Sequence, residues 1–228
     1  LFADGANKIE MLEMYQKPII KGLTTNPTLM KKAGIKNYEE FALDILGEIK
    51  DKPVSFEVFS DEINEMEEQA YKISKWGKNV YVKIPVTNTR GESTCELINK
   101  LTDNNVKVNV TAIMTLEQVR QVISSLNVNT SSYISIFAGR IADTGIDPVP
   151  IMSAAVELSK LNSKAEIIWA SPRELLNIFQ ADQTGCHIIT ATNDILRKLY
   201  LVGYDLNAFS LDTVKMFYDD ATNAGYSI

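Results

Sequence analysis

A lysine near the end of the run Tyr81-Val82-Lys83-Ile84-Pro85 sits among apolar neighbours. Such a setting penalises the ammonium and favours the free amine, which can attack a carbonyl carbon and form a Schiff base. Taken alone, the pattern also fits a lysine whose stem is covered and whose head reaches solvent. Lys107, in Val106-Lys107-Val108, has similar flanks but stands at the start of its run. Lys83 is distinguished by company. Asp4, Glu57 and Thr111 stand at the ends of other β-branched or apolar runs and add two carboxylates and a hydroxyl. Schiff-base chemistry needs groups that protonate a departing hydroxyl, hold a water and take a proton beside a breaking carbon–carbon bond. Asn26 and Asn109 are amides suited to sugar hydroxyls, and Thr24 and Ser135 occupy equivalent strand-end places. Each of these polar residues would singly serve as well for an N-cap or a turn. Arg140 and Arg173, two of five arginines, follow run ends directly. A guanidinium grips phosphate with a bidentate fork. Ser171-Pro172-Arg173 is also expected to open a helix whose first amides favour an anion.

Other chemistries find little support. His187 is the only histidine, and Cys95 and Cys186 are the only cysteines, so neither a metal cluster nor a disulfide framework is expected. Asp143-Thr144-Gly145-Ile146-Asp147 resembles a calcium loop but lacks the further acidic ligands. No Walker sequence occurs, and neither a metal nor a cofactor is called for. With 23 basic against 29 acidic residues, the net charge of −6 argues against nucleic acid or an anionic membrane as partner. No apolar run approaches the ~18 residues of a membrane span, and Leu1-Phe2-Ala3-Asp4 has no basic flank of a signal peptide. A reducing, cytoplasmic compartment is the expectation.

The elements that must position these residues recur along the chain. Eight short runs (Leu1–Asp4, Ile19–Thr24, Val54–Val58, Val80–Pro85, Val106–Thr111, Tyr133–Phe137, Glu166–Ala170 and Cys186–Thr190) alternate with helical patterns. Asp61–Trp76 places Ile63, Met66, Ala70 and Ile73 on one face, and Leu116, Val119 and Ile123 do likewise behind Thr115, a suitable N-cap. Asp147-Pro148 marks another helix start. The eighth helix is expected at Asn193–Leu201, and a further pattern covers Leu211–Ala224. Eight strand–helix units imply an α/β fold, a single (β/α)8 TIM barrel over residues 1–228 with a C-terminal helical extension at about 210–224. An open doubly wound sheet is the alternative, but it normally carries a G-x-G-x-x-G turn, which is absent.

Four segments carry a resemblance: Gly22-Leu23-Thr24-Thr25-Asn26-Pro27-Thr28, Val82-Lys83-Ile84-Pro85-Val86-Thr87, Asn109-Val110-Thr111-Ala112 and Ile134-Ser135-Ile136-Phe137-Ala138-Gly139-Arg140. Together they resemble the transaldolase family, in particular the short subfamily of small transaldolases and fructose-6-phosphate aldolases. The resemblance implies a class I aldolase on a (β/α)8 barrel that needs no cofactor. It implies Lys83 as nucleophile, Asp4 as acid/base for carbon–carbon cleavage, and Glu57 with Thr111 as the pair positioning the catalytic water. Thr24, Asn26, Asn109, Ser135 and Phe137 would line the sugar pocket, and Arg140, Ser171 and Arg173 the phosphate cradle. The implied reaction moves a dihydroxyacetone unit from fructose 6-phosphate or sedoheptulose 7-phosphate to an aldose phosphate. Release of free dihydroxyacetone, or sugar-phosphate binding without turnover, are the alternatives. Glu57 and Phe137 resemble transaldolases, where fructose-6-phosphate aldolases have Gln and Tyr. Gly5, Trp169 and Pro172 depart from the family pattern, the last two at the expected phosphate end. The subfamily further implies a homo-oligomer, a pentamer or a decamer.

Overall fold

Each of the eight expected runs contributes a strand, and the strands pair in chain order, all parallel, with the last returning to the first. The computed structural model describes residues 1–228. The strands are β1 (Phe2–Asp4), β2 (Gly22–Thr24), β3 (Val54–Glu57), β4 (Val80–Pro85), β5 (Val108–Ile113), β6 (Ser132–Ile136), β7 (Ala165–Trp169) and β8 (Ile188–Thr192). Between them run α1 (Lys8–Tyr15), α2 (Pro27–Lys32), α3 (Tyr38–Glu48), α4 (Ile63–Ser74), α5 (Cys95–Asp103) and α6 (Leu116–Ser125). They are followed by α7 (Ala138–Asp143), α8 (Val149–Ser159), α9 (Leu176–Gln183) and α10 (Asn193–Leu196). The closed ring is a (β/α)8 barrel, not an open sheet. Contacts divide the chain into two units, Leu1–Leu196, which holds the barrel, and Arg197–Ile228. The second unit contains a 3-10 turn (Arg197–Leu201) and α11 (Leu206–Asn223), the latter capped by the Asp205 side chain on the Ala208 amide. No helix is long and apolar enough to cross a membrane.

Period-two alternation sends strand side chains to two different places. One set, with Val54, Phe56, Val82, Ile84, Ile167 and Trp169, packs into the helix layer against residues such as Met66, Ala70, Ile73 and Val119. Burying each large side chain there contributes about 1.5–3 kcal/mol. The other set forms a separate inner cluster of Phe2, Tyr81, Tyr133, Ile168, Ala170 and Ile188. Tyr81 stacks on Tyr133 at 4.0 Å, and Phe2 meets Tyr133 edge-on at 5.7 Å. Gly22 makes room for this plug, since a Cβ there would lie 2.5 Å from the Phe2 ring. Further along the same inward rows the side chains turn polar: Ser55 and Glu57 on β3, Lys83 on β4, Asn109 and Thr111 on β5.

Several boundaries differ from the expected ones, for local reasons. β5 begins at Val108 because Asn105, at φ 60°, ends α5 in a Schellman motif: Val106 donates to the Leu101 carbonyl and Asn105 to that of Thr102. Val106 therefore belongs to a helix cap. β2 starts only at Gly22, since Ile20 closes a turn onto Lys17. β8 starts at Ile188, not Cys186, because side chains occupy the approach to β7. His187 Nδ1 accepts from the Ile167 amide at 3.0 Å, and Cys186 Sγ donates to the Ile167 and Ile188 carbonyls. Asp205 starts α11 five residues before the apolar pattern does, and Asn193–Leu201 is four residues of α-helix followed by a 3-10 turn. Thr115 caps α6 as expected, in a capping box completed by Gln118, and α8 starts behind Pro148 as the sequence implies.

Candidate active site

The C-terminal ends of the strands surround a cavity of about 660 Å³, and all the candidate residues line it: Asp4, Thr24, Asn26, Glu57, Lys83, Asn109, Thr111, Ser135, Phe137, Arg140, Ser171 and Arg173. Register explains much of the convergence. Glu57 pairs with Lys83, Lys83 with Asn109, and Asp4 with Thr24, so neighbouring strands deliver these side chains at adjoining levels.

Lys83 is only 6% exposed. Its Nζ donates to the Thr25 carbonyl at 2.8 Å and lies 3.0 Å from Glu57 Oε2. The amine is thus not surrounded by apolar groups alone, as its flanking residues suggest; it has a partly buried carboxylate within proton-transfer reach. The backbone of Glu57 is fixed by Tyr38, whose hydroxyl donates to the Glu57 carbonyl at 2.8 Å, with its ring edge-on to Phe56, Phe59 and Trp76. Lys107 lies outside the cavity: its Nζ donates to the Lys78 carbonyl and sits 5.2 Å from the centre of the Tyr81 ring.

Asp4 accepts a 2.8 Å hydrogen bond from the Thr24 hydroxyl. Burial pushes its carboxyl above the ordinary range, while Lys83 and the Thr24 hydrogen bond pull the other way and Glu57 adds to the rise. Beneath these groups Ser135 donates to Asn109 Oδ1 at 2.7 Å, and Asn109 Nδ2 donates to Ser55 Oγ at 3.0 Å. The Asn109 amide is thereby fixed in orientation, with one N–H remaining for a ligand. Asn26 caps α2, its Oδ1 accepting from Leu29, which leaves its NH₂ for the cavity. Thr111 differs from all of these: its Oγ1 is buried and has no hydrogen-bond partner in the protein. The next residue, Ala112, takes φ 62° at a register shift between β5 and β6, so the strand bulges where it carries this hydroxyl.

At the opposite side the expected helix start fails. Ser171, at φ 58°, turns the chain sharply, and α9 begins only at Leu176. The amides of Arg173 and Glu174 are both taken by Asn177 Oδ1, so they are not helix-start donors open to an anion. The Arg173 guanidinium is also engaged. Its Nε donates to Asp143 Oδ1 at 2.9 Å and its Nη2 contacts Asp143 Oδ2, which holds the Asp143 carboxyl below the usual range. Gly139 stands beneath this loop: a Cβ there would lie 1.6 Å from the Ser171 carbonyl oxygen. Trp169 is fully buried in the helix layer, so its departure from the family pattern does not alter the cavity wall, whereas Pro172 does line it. No group of three or more His, Cys, Asp or Glu side chains is placed to hold a metal ion.

Some participants were not singled out from the sequence. Ser55 and Thr190 share the inward parity of Glu57 and Ile188, and strict period-two reading of their runs would have found them. Nothing local marks Asp143 as the partner of Arg173 or Tyr38 as the support of Glu57, since these pairs lie 30 and 19 residues apart.

A family model described as transaldolase/fructose-6-phosphate aldolase matches residues 1–227. Among curated proteins, the chain is 36% identical over 200 residues to a probable transaldolase 2 of Listeria monocytogenes, covering 87% of each chain. It is 32% identical over 228 residues to a probable transaldolase of a Thermoanaerobacter species, covering 100% of this chain and 99% of the relative. A probable transaldolase of Dehalococcoides mccartyi is 32% identical over 200 residues, covering 87% of this chain and 89% of that protein.

Proposed function

Since this chain belongs to the transaldolase/fructose-6-phosphate aldolase family, we propose that it transfers a dihydroxyacetone unit through a Schiff base on Lys83. The observation that carries the proposal is the buried Lys83 amine with Glu57 at 3.0 Å, in a cavity that also holds Asp4. Nζ passes a proton to Glu57 as the ketose arrives, and its lone pair attacks the ketone carbon. The carbinolamine hydroxyl leaves as water on protonation, giving the iminium. Thr111 Oγ1, buried without a protein partner, is suited to hold that water, since a buried hydroxyl is stabilised by pairing with a small polar molecule.

Asp4 then takes the proton of the substrate hydroxyl adjoining the scissile bond. The carbon–carbon electron pair flows into the iminium to form an enamine, and an aldose phosphate departs. The enamine attacks the carbonyl of an acceptor aldose phosphate, Asp4 returns its proton to the new hydroxyl, and hydrolysis frees the product ketose and Lys83. Fructose 6-phosphate and erythrose 4-phosphate would give sedoheptulose 7-phosphate and glyceraldehyde 3-phosphate. Asn26 and Asn109 offer amide hydrogens to sugar hydroxyls, Thr24 and Ser135 build the hydrogen-bonded floor, and Phe137 supplies an apolar wall. That wall has no hydroxyl with which to protonate the enamine, which favours transfer over release of dihydroxyacetone. Arg140, Ser171 and Arg173 form the phosphate end. Arg173 is offered there with its Nε and Nη2 held by Asp143, which leaves its other guanidinium N–H groups as donors for a phosphate.

Product analysis with and without an acceptor tests the reading. Sedoheptulose 7-phosphate formed only with erythrose 4-phosphate, and abolished in Lys83→Ala, is the expected result. Free dihydroxyacetone at an equal rate without acceptor would favour an aldolase, and turnover surviving Lys83→Ala would end the proposal. Assembly into a pentamer or decamer, as the subfamily resemblance suggests, belongs to the same reading, and sedimentation at micromolar concentration measures it.

A further inference from the structure

Asp4, Thr24 and Thr190 lie on the adjoining strands β1, β2 and β8, respectively, with β1 between the other two. Thr24 has a single hydroxyl proton, donated to Asp4 Oδ1 at 2.8 Å. Its oxygen is also 2.6 Å from Thr190 Oγ1, a contact in which either atom could donate on distance alone. With its proton committed to Asp4, Thr24 can only accept from Thr190. The hydrogen bonds therefore run in one direction, from β8 through β2 to the carboxylate on β1. Both threonines are buried, at 2% and 5% exposure.

We propose that Thr190 is a positioning residue of this site: its hydroxyl donates to Thr24 and so holds the Thr24 O–H on the Asp4 carboxylate. The inference rests on the reading of Asp4 as the acid/base and goes beyond it by adding a residue that acts on Asp4 through Thr24. Hydrogen bonds in series polarise one another, and a donor to the ionised form favours that form. The chain thus offsets part of the cost of a buried carboxylate at the moment Asp4 must act as base. The charged groups facing Asp4 are Lys83 from β4 and Glu57 from β3; Thr24 on β2 and Thr190 and Thr192 on β8 are uncharged, and Asp194 lies further round the same cavity wall.

Thr190→Val keeps the shape and removes the donor, and Thr190→Ala removes it without β-branching. The titration of Asp4 is followed by carbon NMR of protein labelled at the aspartate carboxyls, the signal being assigned by its loss in Asp4→Asn. Both variants should move that titration to higher pH by roughly half a unit, an approximately threefold change in proton affinity. The acidic limb of kcat/KM should move with it. Thr190→Ser should restore the parental titration, and Thr190→Val should add no shift in a Thr24→Val background. An unchanged Asp4 titration in both Thr190 variants, or an equal shift without Thr24, overturns the proposal. If the NMR titration moves as described while the acidic limb stays in place, positioning by Thr190 stands and the acid/base role of Asp4 is what fails.

Discussion

Gly139→Ala is a small substitution with a large consequence expected at one end of the site. The added Cβ would be 1.6 Å from the Ser171 carbonyl oxygen, 2.8 Å from its carbon and 3.3 Å from Arg173 Nε. Carbon–oxygen contacts settle at ~3.3–3.6 Å, so the carbonyl must retreat by about 1.7 Å, the difference between 3.3 and 1.6. Ser171 has little freedom to absorb this locally, because it already occupies the left-handed region at φ 58°. The segment carrying Arg173 must move with it. Misplacing a binding group by about 1 Å costs on the order of 100-fold. Since Ser171 and Arg173 would hold the phosphate while Lys83 lies across the cavity, the loss should fall mainly on KM for fructose 6-phosphate, by about 10- to 100-fold. Non-phosphorylated dihydroxyacetone, used as donor at saturation, should be affected far less. Overpacking of this kind also costs about 1–3 kcal/mol of stability, a Tm decrease of roughly 2–12 °C for a chain of this length. Steady-state kinetics with both donors and a thermal melt check the prediction. A variant with parental KM and parental Tm would refute the assignment of this loop to the phosphate end and the closeness of its packing on α7.

Two further perturbations separate stability from chemistry. Thr111→Val removes a buried hydroxyl with no protein partner, so it should leave Tm unchanged or raise it by relieving a desolvation cost of about 1–3 kcal/mol. The same change should lower kcat by about 10²-fold or more through loss of water positioning; a marked fall in Tm or full activity would contradict this. Asp4→Asn should inactivate the protein yet melt above the parent at neutral pH. Burial raises the Asp4 carboxyl above its unfolded value, so its ionisation opposes folding; that penalty is absent below the ordinary carboxylate range and complete above the folded-state pKa. The two melting curves should therefore converge as pH falls to about 4, and a gap that widens on acidification would show the sign to be wrong.

The sequence revealed this fold and site unequally, and the difference is physical. The convergence of the strand-end residues was legible because parallel pairing in order sets Glu57 beside Lys83 and Asp4 beside Thr24, so polar residues at run ends meet once the barrel closes. Helix caps were legible where a local side chain does the capping, as at Thr115. The Ser171–Arg173 segment was misread because proline commonly starts helices, whereas here a left-handed serine and the Asn177 side chain take control of the chain first. The pairing of Arg173 with Asp143 and the support of Glu57 by Tyr38 join residues distant in sequence, and no periodicity encodes such contacts. The Thr24–Thr190 contact, between residues 166 apart, closes the ring from β2 across β1 to β8 and depends on barrel closure itself.

The most direct measurement is reduction of the protein with borohydride in the presence of fructose 6-phosphate, followed by mass spectrometry of the peptides. A reduced three-carbon adduct on Lys83 alone, absent from Lys83→Ala and from samples without sugar, is the predicted result. An adduct on Lys107 or another lysine, or turnover with no trappable adduct at any residue, would contradict the assignment of Lys83 as the group that bonds to substrate.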